Sequence, residues 1–188
     1  MTDKLVILDR DGVINHDSDA YIKSADEFRP YPQAVDAIVR LCHAGFQVAM
    51  ATNQSGLARG YFDRATLEAM HCRLQQRLAE RGARLAHIAV CPHGPDDGCD
   101  CRKPRPGLLE DIRRTLGLHS LKGAWMVGDS LRDIEAGRAA GCRVALVRTG
   151  KGTRTLEHHA EALAEVPVHD DLAAFVEALL TGRTTRTS

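Results

Sequence analysis

Five short apolar runs, separated by longer segments of helical period, constrain this chain of 188 residues more than any other feature. The runs are 5–8, 46–51, 87–91, 125–127 and 143–147. They are nearly continuous in apolar residues, as strands buried on both faces must be. Between them the spacing predicts helices over 32–44, 63–81, 107–117 and 131–140. Asp63 and Ser130 suit helix caps, Pro106 suits a first helical turn, and Gly45, Gly82, Gly117 and Gly141 stand where helices should stop. Strands that alternate with helices imply right-handed βαβ units. The expected fold class is therefore α/β, a doubly wound and mostly parallel sheet of order 3-2-1-4-5. A strand at 166–168 and a helix at 171–180 should close one edge. The reading is a single domain over 1–180 and a frayed polar tail over 181–188.

Composition narrows the function classes. Lys plus Arg equals Asp plus Glu at 25 each, so no net positive field is available for a nucleic-acid backbone or an anionic membrane. The first apolar run is too short for a secretory signal core, and no stretch approaches the ~20 apolar residues of a membrane span. The expectation is a soluble cytoplasmic monomer whose partner is a small molecule. Six cysteines without a secretory context argue for reduced thiols. Cys42, Cys72 and Cys142 fall in helix-like segments and are expected to fill the core.

The first strand runs directly into Asp9-Arg10-Asp11-Gly12. Ligands of open α/β sheets sit beyond the carboxyl ends of the strands. In order 3-2-1-4-5, strand 4 is the neighbour of strand 1 and ends in Asp129-Ser130, with Asp133 one helical turn on. Asp9, Asp11 and Asp129 should then converge. Clustered carboxylates repel unless a cation joins them, and oxygen ligands with room for phosphate suit Mg²⁺. Strand 2 ends in Thr52, which offers a hydroxyl and a backbone N–H to a phosphate oxygen. Lys103 brings positive charge to the same rim after the third strand.

Between that third strand and Lys103 stands Cys91-Pro92-His93 followed by Cys99-Asp100-Cys101. Three thiolates and one imidazole complete a closed tetrahedral Zn²⁺ site, leaving no position for catalysis. A Cys99–Cys101 disulfide would close a strained loop, and a zinc-based nucleic-acid module is disfavoured by the zero net charge. The loop over 91–103 should aim Arg102 and Lys103 at the site.

Together these residues resemble the haloacid-dehalogenase superfamily of phosphatases, across 5–147. The resemblance implies that Asp9 is a nucleophile forming an aspartyl-phosphate and Asp11 a general acid/base. It makes Thr52 and Lys103 the phosphoryl-binding pair, and Asp9, the Asp11 carbonyl and Asp129 the Mg²⁺ ligands. Asp133 would orient Lys103 or a metal-bound water. Receiver domains of signalling proteins also use an aspartyl-phosphate and are the alternative from another class; Asp11 beside the nucleophile and the strand order disfavour it. The stretch 52–60, the zinc loop and Gly128-Asp129-Ser130 are most similar to the heptose-1,7-bisphosphate 7-phosphatases, which serve lipopolysaccharide synthesis. Histidinol-phosphate phosphatases share the aspartates and the zinc loop. No insertion between the motifs holds a separate cap domain, so the site should be open. Its rim would then read the substrate with Asp17, Tyr21, Asn53, Gln54, Ser55, Arg59 and Arg102. The 149–152 segment reads as a mobile loop with no role.

Overall fold

A computed structural model describes residues 4–183. The two ends of the chain, including 184–188 of the expected tail, lie outside the described residues. Six parallel strands form one sheet in the order β3-β2-β1-β4-β5-β6. They are β1 Leu5–Leu8, β2 Gln47–Asn53, β3 His87–Cys91, β4 Trp125–Gly128, β5 Arg143–Val147 and β6 Val168–His169. The helices are α1 Pro32–His43, α2 Arg64–Ala79, α3 Gly107–Thr115, α4 Leu131–Ala139, α5 Gly152–His158 and α6 Leu172–Leu180.

Alternation along β1 shows why both faces need helices. Val6 and Leu8 pack with α1, α2 and α6, while Leu5 and Ile7 pack with α3 across the sheet. All four are buried, so neither face of β1 meets water. The expected caps form: the Asp63 side chain accepts from Thr66 N at 2.8 Å. Ser130 and Asp133 make a reciprocal capping box at the start of α4.

Several expectations are corrected. The segment after β5 is not a mobile loop. Thr149–Lys151 turns tightly into α5, and Gly152 donates to Thr149 O at 2.9 Å. Glycine is required at 152, because a Cβ there would meet Val147 O at 1.7 Å. The edge strand is β6 at Val168–His169 rather than 166–168. Cys72 is exposed on α2, not a core filler, because the buried stripe of that helix runs through Leu67, Met70, His71, Leu74 and Leu78. At 181–183 the chain turns back, Arg183 N donating to Ala178 O at 2.8 Å.

Candidate active site

The carboxyl ends of β1, β2 and β4 meet the loop after β3 around a cavity of about 260 Å³. Register makes this meeting unavoidable. Leu8 pairs with Val127 across β1 and β4, and Asp9 N donates to Val127 O at 3.0 Å. Asp9 follows Leu8 directly and Asp129 follows Val127 after Gly128, so both leave the ends of neighbouring strands. Carboxylate oxygens of Asp9, Asp129 and Asp133 all lie within 4.8 Å of one another.

Lys103 is only 2% exposed and sits inside this cluster. Its Nζ lies 2.8 Å from Asp9 Oδ1 and 2.7 Å from Asp133 Oδ1, and it donates to Ala51 O at 2.8 Å. Ala51 O takes one N–H, and the two carboxylates stand at ion-pair distance. The backbone of Lys103 is equally fixed: Asn53 Oδ1 accepts from its N and Asn53 Nδ2 donates to its O, both at 3.1 Å. Burial disfavours the charged amine, but the two carboxylates overcome this and raise its pKa.

Formal charge tests the fit of a metal. Three carboxylates against one ammonium leave two negative charges in a largely buried space. Burial, then the Asp133 charge, pushes Asp9 up to about 7. Burial, then the charges of Asp9 and Asp133, pushes Asp129 up to about 8. Carboxylates this reluctant to ionise are those that a divalent, oxygen-seeking cation would relieve. The Asp129 carboxylate is held from behind, accepting from Lys151 N at 2.8 Å. Thr155 Oγ1 donates to its backbone carbonyl at 2.9 Å. Gly12 has φ +83°, and a Cβ there would fall 2.1 Å from Asp129 Oδ2, so only glycine admits this carboxylate.

Asp11 stands apart from the cluster. The Arg10 guanidinium, 1% exposed, grips it in a fork with Nε and Nη2 at 2.9–3.0 Å. Asn15 Nδ2 donates to its Oδ1 and Gln54 Nε2 to its Oδ2, both at 2.9 Å. Burial raises Asp11, but Arg10 and these donors outweigh it and hold the carboxyl below its ordinary range. In this arrangement Asp11 is a carboxylate with both oxygens occupied.

The remaining expected residues divide. Asp17, Tyr21, Asn53, Gln54, Ser55 and Arg102 line the cavity with Asp9, Asp11, Lys103, Asp129 and Asp133. Tyr21 does so in a left-handed conformation, φ 65°, with its ring 4.9 Å from that of Tyr61. Asn53 and Gln54 spend their amides on Lys103 and Asp11, so they organise the site more than they present to solvent. Thr52 is buried at the end of β2, its hydroxyl accepting from Gln54 Nε2 at 2.9 Å. Arg59 is a correction: it lies exposed on the turn after Ser55 and does not line the cavity. Sequence reasoning missed Arg10, Asn15, Arg132 and Lys151. Arg10 and Asn15 carry no pattern of their own. Lys151 was findable, because the strand-end rule applies to β5 as well.

The zinc-type cluster forms at the end of β3. Cys91 Sγ lies 3.1 Å from Cys101 Sγ and 3.7 Å from both Cys99 Sγ and His93 Nδ1. Cys101 Sγ lies 3.3 Å from His93 Nδ1 and 3.5 Å from Cys99 Sγ. A tetrahedron with Zn–S bonds of ~2.3 Å has edges of roughly 3.8 Å, so the four ligands stand near its corners. None of these separations is a disulfide. Burial and then the neighbouring sulfurs push Cys101 up to about 12, a crowding that a divalent cation would relieve. Arg105 Nη1 closes the loop from outside, donating to Cys99 O at 2.8 Å and to Gly98 O at 3.1 Å.

Known proteins place this geometry in context. Residues 100–175 match a family described as HAD-hydrolase-like. The chain is 57% identical over 181 residues to D-glycero-beta-D-manno-heptose-1,7-bisphosphate 7-phosphatase of Pseudomonas aeruginosa, covering 96% of this chain and 99% of that one. The structure of D,D-heptose 1,7-bisphosphate phosphatase from B. bronchiseptica, complexed with magnesium and phosphate, is similar at TM-score 0.89 and 51% identity, with 95% and 99% of the two chains covered. The corresponding Burkholderia thailandensis structure is similar at TM-score 0.70 and 41% identity, covering 95% and 99%.

Proposed function

The chain belongs to the D-glycero-β-D-manno-heptose-1,7-bisphosphate 7-phosphatase family of haloacid-dehalogenase-like hydrolases, and from that premise we propose that it removes the 7-phosphate through a covalent step on Asp9. The observation that carries the mechanism is Lys103 bridging Asp9 and Asp133 beside Asp129. An ammonium fixed against a carboxylate at a strand end can both restrain that nucleophile and neutralise an incoming phosphate.

Mg²⁺, held by the carboxylates of Asp9 and Asp129 and the backbone carbonyl of Asp11, supplies the charge that lets a phosphate dianion approach Asp9. Asp9 is oriented for attack because Lys103 holds its Oδ1 and Arg10 N donates to it at 2.7 Å. An Asp9 oxygen attacks phosphorus, the bond from phosphorus to the sugar oxygen breaks, and Asp9 carries the phosphoryl group. The sugar oxygen needs a proton as it leaves, and Asp11 supplies it. To do so its side chain leaves the Arg10 fork for the cavity, where a neighbouring phosphate in place of a guanidinium raises its pKa. Asp11 then takes a proton from the water that attacks the phosphoryl-Asp9 phosphorus, releasing phosphate and restoring Asp9. Thr52 and Lys103 hold the transferred phosphoryl oxygens. Cys91, His93, Cys99 and Cys101 would hold Zn²⁺, which would fix the loop that carries Arg102 and Lys103.

The enzyme works as a monomer in the cytoplasm. The large apolar side chains exposed among the described residues are Tyr61 and Leu180, too few for an apolar interface. Among the described residues no helix is long and apolar enough to cross a membrane. A site of three free thiols needs a reducing compartment. The test is a parallel rate comparison, with Mg²⁺, on heptose 1,7-bisphosphate and L-histidinol phosphate. The bisphosphate should be hydrolysed with much the higher kcat/KM; a preference for the amine would overturn the substrate assignment.

A further inference from the structure

Five cationic side chains line the cavity: Arg10, Arg102, Lys103, Arg132 and Lys151. Two are already committed. Arg10 is forked onto Asp11, and Lys103 is ion-paired with Asp9 and Asp133 and donates to Ala51 O. Lys151 is different because its backbone holds Asp129 while its side chain pairs with Asp17. Its N–H donates to Asp129 at 2.8 Å, so the residue starts beside the reacting centre. Its Nζ lies 3.1 Å from Asp17 Oδ2, and both residues line the cavity. The ammonium thus pairs with Asp17 rather than with the carboxylates of Asp9, Asp129 or Asp133. Both partners are part-exposed, at 35% for Lys151 and 18% for Asp17, so a solute entering the cavity can reach the pair.

Asp17 is itself held in place by Ser18 N at 2.8 Å. A carboxylate cannot bind phosphate, but it accepts hydrogen bonds from sugar hydroxyls. An ammonium beside it can exchange one anion for another. Resting on the sugar-bisphosphate reading above, we propose that Lys151 is the specificity residue for the second, non-transferred phosphate. Asp17 is the counter-ion that holds the ammonium until substrate arrives. When substrate binds, Lys151 passes to the distal phosphate and Asp17 takes hydroxyls of the sugar. Arg132, exposed on the first turn of α4 and lining the same cavity, flanks that phosphate.

The test compares kcat/KM on heptose 1,7-bisphosphate and on heptose 7-phosphate, the same sugar without the distal group. Wild-type enzyme is measured first, and the absence of any preference for the bisphosphate would defeat the sugar-bisphosphate reading itself. Given that preference, Lys151→Met should shrink the ratio of the two kcat/KM values by about tenfold to a hundredfold, the usual effect of losing one charge-assisted hydrogen bond. The loss should appear in KM for the bisphosphate. Lys151→Arg should recover most of the ratio. A merely structural tie to Asp17 would lower both substrates alike. An unchanged ratio in Lys151→Met, or an equal fall on both substrates, would overturn the assignment of Lys151 and leave the bisphosphate reading intact.

Discussion

Replacing Asp133 with asparagine isolates the support of the buried lysine. Asp133 Oδ1 lies 2.7 Å from Lys103 Nζ. Its Oδ2 accepts from Ser130 N at 3.0 Å and from Ser130 Oγ at 2.7 Å. Asparagine has one acceptor oxygen, so it cannot serve both the ammonium and the helix cap. Losing the cap costs about 1 kcal/mol. Replacing a charge-assisted bond to Lys103 by a neutral one, or losing it, costs up to about 3 kcal/mol. The sum is about 2–4 kcal/mol, and a domain of this size loses roughly 2–4 °C of Tm per kcal/mol, so the melt should fall by about 5–15 °C. Turnover should fall as well, because Lys103 loses one of the two carboxylates that aim it at Asp9. Thermal melts followed by circular dichroism, with phosphate release measured well below the melt, read both effects. Ser130→Ala is the companion variant and should lose only the cap, about 1 kcal/mol. An Asp133→Asn protein that melts within about 2 °C of wild type would refute the reasoning, since it would mean that Lys103 does not depend on this carboxylate.

Two further predictions follow from the metal sites. Asp9 and Asp129 have pKa values of about 7 and about 8 in the folded chain, against roughly 3.9 when unfolded. Between about pH 4 and 8 the native state thus binds more protons than the unfolded one, and in EDTA the stability these groups contribute should fall as pH rises. Mg²⁺ requires both carboxylates ionised, so the Tm gain on adding it should grow from pH 5.5 to pH 8; a gain that shrinks over that range would contradict the cluster. For the zinc site, Cys101→Ser should lower bound zinc from about one per chain to near zero by elemental analysis and cut kcat by about tenfold or more, through a loosened 91–103 loop. Native reduced protein without zinc would dismiss the site.

Where periodicity and burial agree, the sequence was readable. β3 and β5 have the expected limits, and α1, α3 and α4 end within two residues of theirs. The strand-end rule located Asp9, Asp11, Thr52 and Asp129, because parallel register leaves no other place for them. β2 runs on to Asn53, two residues past its apolar run, because polar Thr52 and Asn53 pair with Val90 and Cys91 of β3. α5 was illegible for a physical reason. Its seven residues have little apolar period and are held by contacts to distant residues, such as Thr155 to Asp129 O. Arg10 was illegible as well: a buried guanidinium is paid for by a fork onto Asp11, and no spacing announces such a fork. Arg59 shows the opposite error, an arginine read into the site that the turn after Ser55 points to solvent.

The stereochemical course at phosphorus tests the central claim most directly. Hydrolysis, in 17O-labelled water, of a substrate whose 7-phosphate is replaced by a thiophosphate made chiral with 16O and 18O should give chiral inorganic thiophosphate with net retention. Two in-line displacements, the first by Asp9 and the second by water, each invert the centre. Net inversion would mean that water attacks the substrate directly, and Asp9 would not be a nucleophile.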